Sequence, residues 1–269
     1  MMLARWLAVG VLGFMIGAAT IVLADSKDDT RSVATPVAAT SGTSLASEHA
    51  GHSGVVIENG QQISGVKAQD IAAEAEPDAP LDVATRAAIA AQLVSAREAA
   101  DRLPTVADAT AAGFVLAGGF APGSGAHYVG VTGAGLTGSG GVDAGHPDTY
   151  IYDGTAPDSR IVGLMYNSLS SAAPEGFAGP NDHWHRHSNV CIKYSSGGIE
   201  VPFPADSDVT AEQCSSKGGR LLAVTTWMVH AWVVPGWESP DGVFSHNNPN
   251  LRCADGTLNT DEVGFCAGT

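Results

Sequence analysis

Three of the nine histidines in this 269-residue chain fall within five positions, in Asp182-His183-Trp184-His185-Arg186-His187. Side chains of an extended segment alternate between faces, so His183, His185 and His187 would share one face and Trp184 and Arg186 the other. Imidazoles at period two are one way for a strand to feed ligands to a metal ion. A strand rises about 3.3 Å per residue, which sets His183 and His187 about 13 Å apart, whereas each ligating nitrogen sits about 2.0–2.1 Å from its metal. Neighbours at i and i+2 can therefore reach one ion and the outer two cannot. His185 belongs to both possible pairs.

One strand cannot surround an ion, so other segments must contribute. Gly125-Ala-His127-Tyr128 and Trp227-Met-Val-His230-Ala-Trp232 are strand-like and each carries a histidine. His127, His185 and His230, completed by His183 or His187, would make an all-nitrogen site for one divalent transition metal: Zn, Cu, Fe or Ni. Asp182 is positioned in sequence to orient an imidazole from behind. His146, before Pro147, and His246, in Ser-His-Asn-Asn-Pro, read as turn residues, and His49-Ala-Gly-His52 falls in a linker. Neither Gly-x-Ser-x-Gly nor His-Glu-x-x-His occurs, so the sequence offers neither a hydrolase elbow nor the commonest metalloprotease pattern.

The elements that must position these residues begin at Leu81. Residues 81–103 predict a helix: Asp82 follows Pro80 as a cap, Ile89, Leu93, Ala96, Ala100 and Leu103 recur at helical spacing, and Pro104 ends it. Thr105-Val-Ala-Asp108 resembles a capping box for a second short helix that Gly113 would close. From Phe114 onward, short apolar runs alternate with turns. Strands are expected at Phe114–Ala117, His127–Val129, Tyr150–Tyr152, Ile161–Tyr166, His183–Tyr194, Ile199–Val201 and Leu222–Val234, with one helical insert at Val209–Lys217. The fold class is α+β: N-terminal helices packed on a mostly antiparallel β-sheet, as a sandwich or small barrel. Gly133-Ala-Gly-Leu-Thr-Gly138 matches a dinucleotide fingerprint only on paper, because Ser-Gly-Gly-Val-Asp after it would not start the required helix.

Ahead of this domain, residues 25–79 read as a disordered linker rich in Ala, Ser, Thr, Gly and Asp. Residues 1–24 read as a signal peptide or membrane anchor: Arg5 is the lone charge before Asp25, and Val22-Leu-Ala24 fits a cleavage site. The domain, residues 80–269, is then exported, secreted or held at the cell envelope. All four cysteines, Cys191, Cys214, Cys253 and Cys266, lie in its C-terminal third. In an exported chain they predict two disulfides; three connectivities exist, and Cys191–Cys214 with Cys253–Cys266 is favoured because each closes a short loop. A net charge of −15 argues against a nucleic-acid partner.

Four motifs carry a resemblance. They are Pro104-Thr-Val-Ala-Asp-Ala-Thr-Ala-Ala-Gly113, Pro122-Gly-Ser-Gly-Ala-His-Tyr128, Pro174-Glu-Gly-Phe-Ala-Gly-Pro-Asn-Asp-His-Trp-His-Arg-His187, and His230-Ala-Trp-Val-Val-Pro-Gly-Trp237 running on through Gly242-Val-Phe-Ser-His-Asn-Asn-Pro249. With them the chain resembles an uncharacterised family of exported bacterial proteins. The resemblance implies a shared domain with histidine-bearing motifs at His127 and His230, and no reaction. A looser likeness is to cupins, whose His-x-His pair and later His hold a metal. His183-Trp-His185 or His185-Arg-His187 would play the pair and His230 the later ligand, although Ser188-Asn-Val-Cys191 stands where cupins carry a Glu.

Three functions are thus expected: an exported metal-binding protein with a mononuclear histidine site, a metal-dependent enzyme of cupin-like type with an open coordination position, or a disulfide-stapled cell-envelope interaction module. The corresponding partners are a metal ion and a small-molecule or cell-wall ligand.

Overall fold

The chain divides into Met1–Leu45 and Ala46–Thr269. The computed structural model describes residues 55–58, 61–64, 78–130, 142–204, 207, 209–258 and 264–267, all in the second unit. The expected leader, most of the linker and the rejected Gly133–Gly138 fingerprint lie outside the described residues. Within the stretch read as linker, β1 (Val55–Glu58) and β2 (Gln61–Ser64) pair as an antiparallel hairpin. The residues between them, Asn59-Gly60, are the pair that two-residue hairpin connections prefer.

Helix α1 (Val83–Arg102) starts where Asp82 accepts a hydrogen bond from the Thr85 amide at 2.8 Å. It stops at Leu103, because Pro104 cannot continue it. Its Ala96, Ala99 and Ala100 are buried, and small side chains there let the helix lie close to the sheet. Helix α2 (Val106–Ala111) opens with a reciprocal capping box between Thr105 and Asp108. Gly113 follows at φ 91°, the left-handed closure that glycine accepts most readily.

Eight strands form one mixed, mostly antiparallel sheet: β3 (Phe114–Ala121), β4 (Gly125–Gly130), β5 (Thr149–Tyr152), β6 (Ile161–Ser168), β7 (Ser188–Ser195), β8 (Gly198–Glu200), β9 (Arg220–Val224) and β10 (Trp227–Ala231). Their order is β10-β6-β5-β4-β3-β8-β7-β9, and β3 with β8 is the parallel pair. The two edge strands, β9 and β10, are consecutive in the chain and separated by Thr225-Thr226 alone. The sheet therefore curls into a half-barrel. A lone bridge between His185 and Met228, with both amide-to-carbonyl bonds at 2.9 Å, ties the segment entering β7 to β10.

The convex face meets the helices. Tyr152 Oη donates to the Leu103 carbonyl at 2.8 Å, Tyr128 and Tyr152 pack edge to face, and so do Tyr166 and Phe177. The concave face carries the alternate residues, among them His127, Val129, Met165, Val190, Ile192 and His230. Every residue of β6 is buried, consistent with a strand covered on both sides.

Two expected strands differ from those observed. The run His183–Tyr194 is regular only as β7, Ser188–Ser195. Ahead of it the Trp184 amide bonds to the Asp182 carbonyl at 2.9 Å, a tight bend that no extended ladder permits. The run Leu222–Val234 divides into β9 and β10 at Thr225-Thr226, where the Thr225 amide bonds to the His187 carbonyl. The helical insert, expected over Val209–Lys217, is α3 (Ala211–Ser216), capped by Thr210 and Gln213.

Both favoured disulfides are formed. Cys191 in β7 joins Cys214 in α3, and Cys253 joins Cys266. Two disulfides fit an oxidising compartment. Among the described residues no helix is long and apolar enough to cross a membrane.

Candidate metal centre

Five histidines meet at one end of the concave face. β4 supplies His127, the Met228 bridge supplies His185, the entry to β7 supplies His187, β10 supplies His230, and the loop after Gly242 supplies His246. That loop is firmly held. Fully buried Asn248 donates its Nδ2 to the Trp237 carbonyl at 2.7 Å, its amide donates to the Gly123 carbonyl at 2.8 Å, and Trp232 Nε1 donates to the Ser245 carbonyl at 2.7 Å.

One ring nitrogen of each of His185, His187 and His246 lies within 4.8 Å of the others, close enough to share an ion. His127 Nε2 and His230 Nε2 face each other at 3.4 Å. The ring centroids of His185 and His230 are 5.2 Å apart, and His246 lies nearly parallel to His230 at 5.8 Å.

The protein fixes which nitrogen of two rings carries hydrogen. His230 Nδ1 donates to the His246 carbonyl at 2.7 Å, and His185 Nδ1 faces the His183 carbonyl at 3.4 Å. A carbonyl oxygen only accepts, so the Nε2 of each bears a lone pair, the tautomer a metal ligand needs. Neutral His127 meets the His230 lone pair either by donating its own Nε2–H or, with its hydrogen on Nδ1, by sharing an ion with it. Nitrogens bound to a tetrahedral ion at 2.0–2.1 Å stand about 3.3–3.4 Å apart, and the observed 3.4 Å matches that edge.

Burial works against protonating these rings. Burial, with His187 and His246 nearby, lowers His127 to about 4. Burial first, then the neighbouring histidines, holds His185 and His230 well below the usual imidazole range. His127 keeps some surface open to the concave face, yet protein surrounds it on its other sides. Neutral imidazoles packed together in a poorly hydrated site are chemically suited to a transition-metal cation.

The remaining expected residues lie elsewhere. His183 turns out of the cluster and pairs with Asp78, Nε2 to Oδ1 at 2.9 Å. Asp182 accepts from Trp184 Nε1 and the Phe177 amide, both at 2.9 Å, and so braces the bend rather than an imidazole of the cluster. Its carboxyl is pushed up to about 6 by burial, against those hydrogen bonds. Trp184, Trp227 and Trp232 are buried packing residues, with the Arg186 guanidinium 4.2 Å over the Trp227 ring. Exposed His146 pairs with Asp143.

His246 is the member that the sequence reading assigned to a turn. It is in a turn-rich loop, but the loop folds back onto β10. The one sequence signal was its place in the same motif as His230.

The cluster opens on a cavity of about 470 Å³ inside the half-barrel, which His127, His187, His230 and His246 help to line. Compared with family profiles, curated proteins and solved structures, the chain matches none.

Proposed function

We propose that this is an exported protein that binds one divalent transition metal, Zn, Cu, Fe or Ni, with ligands drawn from His127, His185, His187, His230 and His246. The carrying observation is the convergence of His185, His187 and His246 within 4.8 Å, in a cluster where burial holds His127, His185 and His230 neutral. The 3.4 Å approach of the His127 and His230 nitrogens supports it independently. Two disulfides support export.

The test is elemental analysis of the full chain, produced through an oxidising compartment without a metal-affinity tag. The wild type should carry near-stoichiometric metal, His185→Ala and His246→Ala should lose it, and His183→Ala should keep it. Near-ultraviolet circular dichroism reports whether each variant is folded. Metal-free wild type, even after soaking with each candidate salt, would sink the proposal and leave the interaction module.

A second reading follows from the cavity. His187 and His246 are ligands that also line it, so an ion there would have one side facing open space, the arrangement of a metal-dependent enzyme rather than a saturated structural site.

A further inference from the structure

The cavity is chemically divided. At the centre's end stand four histidines together with Asn167, Thr225 and Thr226, and these polar neighbours are already engaged: Thr226 Oγ1 donates to Asn167 Oδ1 at 3.1 Å, and Thr225 Oγ1 accepts from the His187 amide at 3.0 Å. Beyond them the wall is mainly apolar, built from Ala117, Val129, Val190, Ile192, Ile199 and Leu222, which five different strands direct inward, with Phe265 beside them and the hydroxyls of Ser124 and Tyr194 its further polar groups among the described residues. Among the described residues, none lining the cavity is Asp, Glu, Lys or Arg, in a chain with 41 such residues by composition (13 + 28). The volume of about 470 Å³ lies within the range of small-molecule sites.

An aliphatic face turned inward and left unfilled is costly, because the sheet gains neither packing contacts nor apolar burial there. The opposite faces of β3 and β4 send Phe120, Ala126 and Tyr128 into the main core with the helices, and Cys191 of β7 packs with Cys214 of α3. Along β7 the lining runs from His187 to exposed Tyr194, about 23 Å of strand. An eight-carbon chain is about half as long and would lie wholly inside.

We propose that this cavity takes a small molecule with an apolar body and one polar end, the body against the aliphatic wall and the polar oxygen or nitrogen at the histidines. Molecules charged at both ends are disfavoured, because the described wall offers no charged partner for the second end and burying it unpaired is costly. The inference rests on the metal reading only for what the polar end meets.

The test uses the full disulfide-bonded chain and the fluorescent probe N-phenyl-1-naphthylamine, with octanoate and octanedioate as competitors. Saturable one-to-one binding is expected, with octanoate displacing the probe and octanedioate weaker by roughly tenfold or more. Ile192→Trp and Ala117→Leu, which fill the wall from β7 and β3, should each weaken the probe by roughly tenfold while each variant keeps a cooperative urea unfolding transition. If a variant fails to fold, the wild-type competition decides alone. Lack of saturable binding, equal competition by the two acids, or wild-type binding by both folded variants would each overturn the proposal. Metal analysis of the same samples separates the two readings. Metal without probe binding sinks this inference alone, and probe binding without metal sinks the metal reading alone.

Discussion

At the scale of single residues, the centre depends on imidazoles kept neutral by burial, and this has a consequence for stability that needs no metal. His127 titrates near 6.5 when unfolded and about 4 when folded. Between those values the unfolded chain binds the extra proton, so the stabilising contribution is complete above pH 6.5 and disappears as pH falls toward 4. At about 1.4 kcal/mol per pKa unit, the loss for His127 alone approaches roughly 3 kcal/mol. His185 and His230 act in the same direction; Asp148 and Asp182, whose carboxyls burial raises, act in the opposite one. Comparing metal-free wild type with His127→Gln by urea unfolding isolates the term. The gap between their stabilities should change by that amount between pH 7 and pH 4.5, wild type falling the more steeply. Parallel pH profiles would show that His127 is not buried as described.

At the scale of elements, the sequence was legible wherever local chemistry decided the outcome. Asp82, the Thr105–Asp108 box, Pro104 and Gly113 act within one turn of chain, and both helices begin and end where they say. Loop closure likewise selected Cys191–Cys214 and Cys253–Cys266. The period of two failed at His183 because Asp182 sends its carbonyl to the Trp184 amide and its carboxylate to the indole, a local bend that overrides alternation. Two element-level outcomes follow. Replacing Cys191 and Cys214 together by Ala frees α3 from β7 and should cost about 2–4 kcal/mol of stability, measured by urea unfolding. Gly163 in β6 lies under the Trp232 ring, where an added Cβ would meet Cε3 at 2.6 Å. Gly163→Ala should cost about 1–3 kcal/mol of overpacking. The Trp232 ring lies tilted against His230, centroids 5.3 Å apart, so metal affinity should fall with it. An unchanged affinity would mean the indole does not position that imidazole.

At the scale of the whole molecule, the sequence could not disclose the arrangement that makes the site. Nothing local records that β8 pairs in parallel with β3, or that β9 and β10 occupy opposite edges of one sheet while adjoining in the chain. That curl is what carries His127, the 185–187 pair, His230 and His246 to one place from four distant stretches, and it explains why His246 passed for a turn residue. It also makes the proposed metal binding a property of the folded state. An ion that binds only the folded chain stabilises it by about 2.7 kcal/mol at a hundred times its dissociation constant, or roughly 5–10 °C in a domain of this size. The wild type should therefore show that rise in Tm with its cognate ion and none with calcium, a hard oxygen-seeking cation. His230→Ala should lose the rise although it retains the His183–His187 run. If instead the variant is stabilised as strongly as the wild type, His230 is not a ligand, and the trio of His185, His187 and His246 holds the ion without it.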